Sequence, residues 1–495
     1  MKKDKIVFII SIIIIGLVVV SAFLFNEAFV NCANLLFSVI TKDFSWLYLL
    51  IMFSFVVFSV YVAFSKYGKI KFGEDDDKPE YSTFSWFAML FCAGMGVGLV
   101  FWGISEPMTH YLAPDNMAGQ TKEAADFAIR ASFMHWGIHP WSAYAVVGMG
   151  LAYFKYRKKL PGLISSILSP IFGVNVKDKW IGILVDILAV FATIAGIVTS
   201  LGLGVLQISA GLERIFSIPN QVSTQIVIIC IVTAIFIWSS VSGLDKGIKM
   251  LSNCTLVLSV VLLALVFLIG PKLDMLNNMV NGIGGYFQNF LSDSLSISTY
   301  GDKSWVENWR VFYWAWWIAW APFTGLFIAR ISKGRTIKEF VLGVVVAPTV
   351  FSIIWFAIMG TIGISLGQAG ILTAQELDQI AAMPEIGLFI VLGHFGIGKV
   401  LSIITMVLLI LFFVTSADSG TFVLATMTTN GNINPSGLIK IVWGILEALL
   451  AIGLLIAGGL KPLQTISIVA AFPFMIVMVC GMISMIIEFR NEKKS

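Results

Sequence analysis

Long apolar runs, separated by short polar segments, fill the chain from residue 6 onward. A membrane-crossing helix needs about 20 mostly apolar residues. Twelve runs meet that length, roughly 6–28, 44–65, 84–105, 127–154, 180–209, 224–241, 249–270, 305–329, 341–367, 398–427, 436–458 and 464–488. In lipid the backbone must bond to itself, and the alternating pattern of a barrel is absent, so the pattern predicts an all-α membrane protein of twelve transmembrane helices. The opening "MKKDK" resembles the start of a signal peptide, but the apolar core after it is too long and no small-residue cleavage site follows, which predicts a retained first span. The longest polar pieces are 66–83, 155–179 and 271–304, so no separate soluble domain is expected. The last of these, with "PKLDMLNNMVNGIGGYFQ", is amphipathic and predicts a helix lying along the outer surface. About seven residues follow the last run, too few for a long regulatory tail.

Two runs carry interruptions that a plain lipid-facing helix avoids. The third holds Gly94, Gly96 and Gly98, spaced by two, and the eighth holds Pro322 in "WAPFTG". Such residues serve close helix packing or let the backbone unwind. Their occurrence in two runs five apart predicts unwinding around a mid-membrane site, with each run opening one half of a transporter.

Composition agrees with lipid as the solvent: 58% of the 495 residues are hydrophobic, 12% are charged, and mean hydropathy is +0.92. Charge then orients the chain. Cytoplasmic termini put most of the 32 Lys and Arg residues inside, including those of "KYGKIK", "KYRKK", "RISKGRTIK" and "RNEKK". The net charge of +4 therefore points to membrane anchoring, not nucleic acid. The five cysteines lack paired or metal-type spacing. His135 and His139 are one helical turn apart, but no third ligand stands near them in sequence, and "HP" at a helix bend is the plainer reading. No nucleotide loop, nucleophile with a base or metal constellation appears, so an enzyme is not expected.

Tryptophan in membrane helices belongs at the interfaces, yet "VFYWAWWIAWAPF" (311–323) places four in mid-run. On a helix Trp316, Trp317 and Trp320 share an arc of about 100°, extended by Phe323. The fourth run supplies "MHWGIHPWSAY", where Trp136, Trp141 and Tyr144 span about 140° and Pro140 can bend the helix. These are packing faces or an aromatic cage. A cage suits a quaternary ammonium, which donates no ordinary hydrogen bond and is held by ring faces at roughly 0.5–2 kcal/mol each. In the tenth run, "FFVTSADS" offers the Thr415 and Ser416 hydroxyls, either to their own helix or to a cation faced by carbonyls of an unwound third run. Asp186, Asp418 and Glu447 are the intramembrane carboxylates singled out for proton transfer; none has a His or Lys relay partner in sequence view.

"GMGVGLVFWGISEP", "MHWGIHPWSAYA", "FYWAWWIAWAPFTGLFIARISKGRTIKEF" and "FFVTSADSGT" resemble segments of the betaine/choline/carnitine transporters, a likeness running from about residue 45 to 488. The resemblance implies two leader helices and a five-plus-five inverted repeat of the leucine-transporter type, at about 84–270 and 305–488, usually assembled as a homotrimer in the cell membrane. It implies alternating access around a box of Trp136, Trp141, Tyr144, Trp316, Trp317 and Trp320, bounded by Met95 and Gly96. It also implies a sodium site of Phe412, Thr415 and Ser416 with carbonyls at Cys92 and Met95. A second sodium site would use Thr193 and Phe323, but Ile197 stands where its second threonine is expected, and Thr199 substitutes only in a distorted helix. No Arg or Lys lies in the fifth run or the middle of the tenth, Trp320 is kept, and Gly98 is not aspartate. These features favour sodium symport of glycine betaine over sodium-independent exchange of carnitine-like compounds or proton-coupled choline uptake. No cofactor is implied beyond sodium as coupling ion. From another class, a quaternary-ammonium sensor would need a signalling domain.

Overall fold

The computed structural model describes residues 5–94, 96–242 and 245–492, all in helices and connecting segments apart from one isolated bridge between Lys71 and Thr336. The chain opens with α1 (Ile6–Leu24) and α2 (Asn26–Phe64). The third apolar run is divided into α3 (Thr83–Gly94) and α4 (Val97–Leu112), the fourth into α5 (Lys122–Trp136) and α6 (Ile138–Ala152). Two single turns, α7 (Ile164–Ile167) and α8 (Ser169–Phe172), lead to α9 (Trp180–Phe216), α10 (Val222–Ser242) and α11 (Asp245–Ile269). Then come α12 (Lys272–Gln288) and the short α13 (Phe290–Leu295). The second half comprises α14 (Val311–Arg330), α15 (Ile337–Gln368), the short α16 (Ala374–Ala382) and α17 (Pro384–Gly393), α18 (Gly398–Met427), α19 (Gly437–Ile456) and α20 (Leu460–Glu492).

Among the described residues nine helices are long and apolar enough to cross a membrane, or ten if a bent pair counts as one span. That is fewer than the twelve expected, for a physical reason. With 12, 16, 15 and 15 residues, α3, α4, α5 and α6 each fall short of a full crossing. Each pair divides one apolar run at a glycine. Gly96 is extended (φ −133°, ψ −159°), and Gly137 leaves the helical region (φ −97°, ψ −128°). The fourth run therefore bends at Gly137 rather than at Pro140, which sits in the first turn of α6, where a missing N–H costs nothing. The eighth run does not unwind: α14 continues through Pro322 from Val311 to Arg330. Packed on nearly every side, it keeps its course despite the lost backbone bond.

Burial ranks the helices. The apolar window containing α14 is 89% buried and that of α1 only 22%, so α14 is central and α1 faces outward. The central helix packs against α6, α9 and α20, while α4 packs against α5, α9, α15 and α17. The broken helices are thus clamped by continuous ones.

The amphipathic segment forms α12, turned 113° from the helix before it at Gly270–Pro271. Its buried Met275, Gly282 and Tyr286 lie seven and four residues apart, on one face, against α5 and α15. Tyr286 reaches the fourth run's break, where its hydroxyl accepts the Ile138 N–H at 3.1 Å. This N–H opens α6 and has no intrahelical partner of its own. We expect Tyr286→Phe to leave the helix set intact but lower stability by about 1–2 kcal/mol, the cost of a buried donor left unsatisfied. Thermal unfolding in detergent measures it, and an unchanged midpoint would show that Ile138 finds another acceptor.

Candidate functional site

The two breaks bring α4, α6 and α14 together around a set of buried rings. Trp136 ends α5 and meets Trp317 edge-on, with centroids 4.8 Å apart at 74°. Trp317 meets Tyr144 at 6.2 Å and 88°, and Tyr144 meets Trp141 at 5.4 Å and 89°. Four rings from the fourth and eighth runs therefore form one chain of edge-to-face contacts, a geometry aromatic quadrupoles favour. Trp316 stacks on Trp317 at 4.8 Å and 14°. Its indole N–H is buried without an acceptor among the described residues. Trp320 turns elsewhere: its N–H donates to the Gly196 carbonyl of α9 at 2.7 Å, and its ring packs on Phe323. The helical arc thus places Trp320 one turn along α14 from the linked rings, against a different neighbour.

The broken third run closes this set. A Cβ at Gly98 would lie 2.5 Å from Trp316 Cη2 and 3.1 Å from Trp136 Cη2, so only glycine fits between the rings and the first turn of α4. One residue before α4, Gly96 provides no side-chain cap. The first-turn N–H groups of α4 thus lie beside the rings, at the positive end of a helix dipole. Met95 lies outside the described residues, and Cys92 is placed only as part of the α3 backbone.

The tenth run faces the same break. A Cβ at Gly96 would stand 3.7 Å from Ser416 Oγ, bringing that hydroxyl to the interruption. Thr415 Oγ1 donates back to the Leu411 carbonyl at 2.8 Å and the Phe412 carbonyl at 3.2 Å. Phe412 is buried just before it. The other expected cation set is dispersed. Thr193 Oγ1 donates to Met427 Sδ at 3.8 Å, and Ile197 packs toward Gly420. Helix α9 is regular, and Thr199 is turned to α20, bonded to the Leu463 carbonyl and Ser467 Oγ at 2.7 and 2.8 Å. Phe323 contacts Trp320.

The carboxylates singled out from the sequence have local roles. Asp186 accepts from the Ser165 N–H and hydroxyl at 2.9 and 2.7 Å, pinning the loop after α6. Glu447 accepts from Thr421 at 3.3 Å. Asp418 is buried beside a cavity of about 380 Å³ that is also lined by Arg330, Phe422 and Lys440.

The sequence reading missed the carboxylate nearest the rings. Glu106 of α4 is fully buried and accepts from Trp136 Nε1 at 2.7 Å and from the Tyr313 hydroxyl. His135 Nδ1 lies 2.7 Å, and His110 Nε2 3.4 Å, from its other oxygen. The ligand-type atoms of Glu106, His110 and His135 lie within 4.8 Å of one another, the one set among the described residues with metal-like spacing. Hydrogen bonds already occupy the carboxylate in this arrangement. His135 and His139 do not converge: Gly137 breaks the helix between them, His139 stacks on Trp314 and bonds Ser294 at 2.9 Å.

Comparison with known proteins assigns this arrangement a family. The model of the betaine/carnitine/choline transporter family matches residues 6–494. The glycine betaine transporter OpuD of Bacillus subtilis is 45% identical over 459 residues, 92% of this chain and 88% of that protein. A probable glycine betaine transporter of Desulfitobacterium hafniense is 43% identical over 99% of this chain and 98% of its own. An ectoine/hydroxyectoine transporter of Virgibacillus pantothenticus is 42% identical, with 99% and 97% covered.

We expect Gly98→Val to force the rings and α4 apart, costing about 1–3 kcal/mol of stability and shifting tryptophan emission. Gly16→Ala, where a Cβ meets nothing within 4 Å, should change neither. Equal behaviour of the two variants would mean that α4 does not bear on the rings.

Proposed function

The chain belongs to the betaine/carnitine/choline transporter family, and from that premise we propose that it imports glycine betaine by sodium symport. Membership makes it a multi-pass membrane transporter and not an enzyme. One observation carries the substrate reading: the edge-to-face chain Trp136–Trp317–Tyr144–Trp141, with Gly98 holding α4 against Trp136 and Trp316. A trimethylammonium group is bound by ring faces at roughly 0.5–2 kcal/mol per ring. The substrate's carboxylate is suited by the uncapped first turn of α4, since N–H groups and dipole both favour an anion there. Trp316 Nε1 offers one more donor. The family's relatives named above carry glycine betaine or ectoine, both small zwitterions, which agrees with a site of this polarity.

For the coupling ion we propose Ser416 and Thr415 hydroxyls with the Phe412, Cys92 and Met95 carbonyls. The support is the approach of Ser416 to the break at Gly96. Thr415 donates its proton to the Leu411 carbonyl, which leaves the oxygen lone pairs for that shell. Thr193 and Phe323 belong to a weaker or missing second site. Alternating access then works through the five-plus-five repeat with α4 and α14 facing each other, in a trimer with cytoplasmic termini in the cell membrane. Proton coupling is the second reading, favoured by one observation, the meeting of Glu106 with two imidazoles.

Radiolabelled betaine uptake in proteoliposomes tests the proposal. We expect accumulation to follow an imposed sodium gradient and to collapse without sodium. Uptake driven by a proton gradient alone would select the second reading. Trp317→Leu should raise the betaine Kd about tenfold or more, because losing a ring worth ~1.4 kcal/mol is a factor of ten. An unchanged Kd would leave the rings as packing.

Ion count supplies a separate check. Betaine has no net charge, so each sodium carries one charge inward, worth about 2.3 kcal/mol per 100 mV. Reversal potentials should give one sodium per betaine. Ser416→Ala should raise the sodium concentration for half-maximal uptake several-fold, Thr193→Ala little; the reverse order would relocate the ion.

A further inference from the structure

The four donors gathered on Glu106 go beyond what packing requires. One is oriented by the surroundings: Trp305 Nε1 donates to His110 Nδ1 at 3.2 Å, so His110 presents its Nε2–H to Glu106, while His135 turns Nδ1 to the same oxygen at 2.7 Å with its Nε2 unpartnered among the described residues. With the Trp136 N–H and the Tyr313 O–H, every lone-pair site of an ionised carboxylate is used. An ionised carboxylate accepts from all four groups at once when His135 carries its proton on Nδ1, and the Trp136 N–H and the His110 Nε2–H can only donate. The result is a negative charge bonded directly to Trp136, the first of the linked rings. Trp136 is held at both ends of its ring system, by Glu106 at the N–H and by Gly98 at the benzene edge. Gly98 and Glu106 are eight residues apart on α4, about 12 Å along its axis. The positive first turn and the negative side chain of one helix thus flank the same ring.

We propose that Glu106 is a positioning and selectivity residue: it fixes Trp136 for edge-on contact with Trp317 and gives the site a negative end that receives the quaternary ammonium, opposite the helix terminus that receives the carboxylate. This rests on the reading of the rings as the betaine site. It predicts preference for a zwitterion over a molecule of the same shape that lacks the cationic charge. Such a molecule exists in 3,3-dimethylbutyrate, in which carbon replaces the nitrogen of betaine.

The test measures Kd for betaine and for 3,3-dimethylbutyrate by tryptophan fluorescence on the purified full-length protein. In Glu106→Gln, which keeps the shape and removes the charge, the preference for betaine should fall about tenfold or more. Tyr313→Phe removes one donor and keeps the charge, so its preference should stay near that of the unmodified chain. Trp136→Phe removes the held N–H, and adding Glu106→Gln to it should cost less betaine affinity than Glu106→Gln alone. If Glu106→Gln does not fold, Glu106→Asp substitutes: it withdraws the carboxylate from Trp136, so betaine affinity should drop while part of the preference remains. An unchanged preference in Glu106→Gln, or an equal loss in Tyr313→Phe, overturns the proposal and leaves the cage reading intact; an Asp variant with unaltered affinity does the same. No betaine binding by the unmodified protein overturns the cage reading and, with it, this one.

Discussion

Lipid supplies no hydrogen bonds, so a helix that stops inside the membrane must find protein partners for its freed backbone groups. The rest of this structure is arranged around two such stops, at Gly96 and Gly137. The second is answered from outside the bundle, where Tyr286 of the turned helix α12 accepts the Ile138 N–H. The first lies between buried rings on one side and Ser416 on the other. A surface helix and a central site are therefore parts of one solution: the backbone is interrupted only where another element covers it, and the interruption exposes polar groups only toward the place where a polar substrate and an ion are proposed to sit.

Much of this was legible in the sequence. Apolar run length marks the spans, the glycine spacing marks the break of the third, and the sequence places Trp316 beside Trp317; an arc through Trp136 and Tyr144 assumes one helix, whereas Gly137 parts them. Two local rules were overridden by packing. Pro322 suggested an interruption, yet α14 is so enclosed that losing one backbone bond does not redirect it. Gly137, rather than Pro140, bends the fourth run, because a proline in a first turn conflicts with nothing. Run length alone also overcounted spans of full length, since a broken span has the composition of a whole one.

The Glu106 cluster was not legible, and the reason is distance along the chain. Its partners lie 4, 29, 30 and 207 residues away. Periodicity relates residues within a helix, and His110 is the one partner it reaches. The signal available was a single glutamate in an apolar stretch, "FWGISEP", and intramembrane carboxylates are costly enough to merit attention wherever they occur. Asp186, Asp418 and Glu447 drew that attention while Glu106 did not, although it stands against the ring set.

The same distinction separates the two candidate ion sites. Sequence spacing treats Thr193 and Thr415 alike, as hydroxyls one or two turns from other polar groups. Packing does not. Ser416 faces the break after α3, whose last carbonyls have no i→i+4 partner within that helix and are open to a cation. Thr193 stands in a helix regular from Trp180 to Phe216, whose carbonyls are already committed, and its hydroxyl meets a thioether, Met427 Sδ, at 3.8 Å. An oxygen shell for a hard cation needs several oxygens at once. The break can add the free carbonyls of α3 to the hydroxyls of α18, an addition Thr193 lacks, so the ion is expected at the break beside the proposed substrate site. Both ligands, proposed at one interruption, would each bear directly on the conformation the other requires, which is the physical content of coupling.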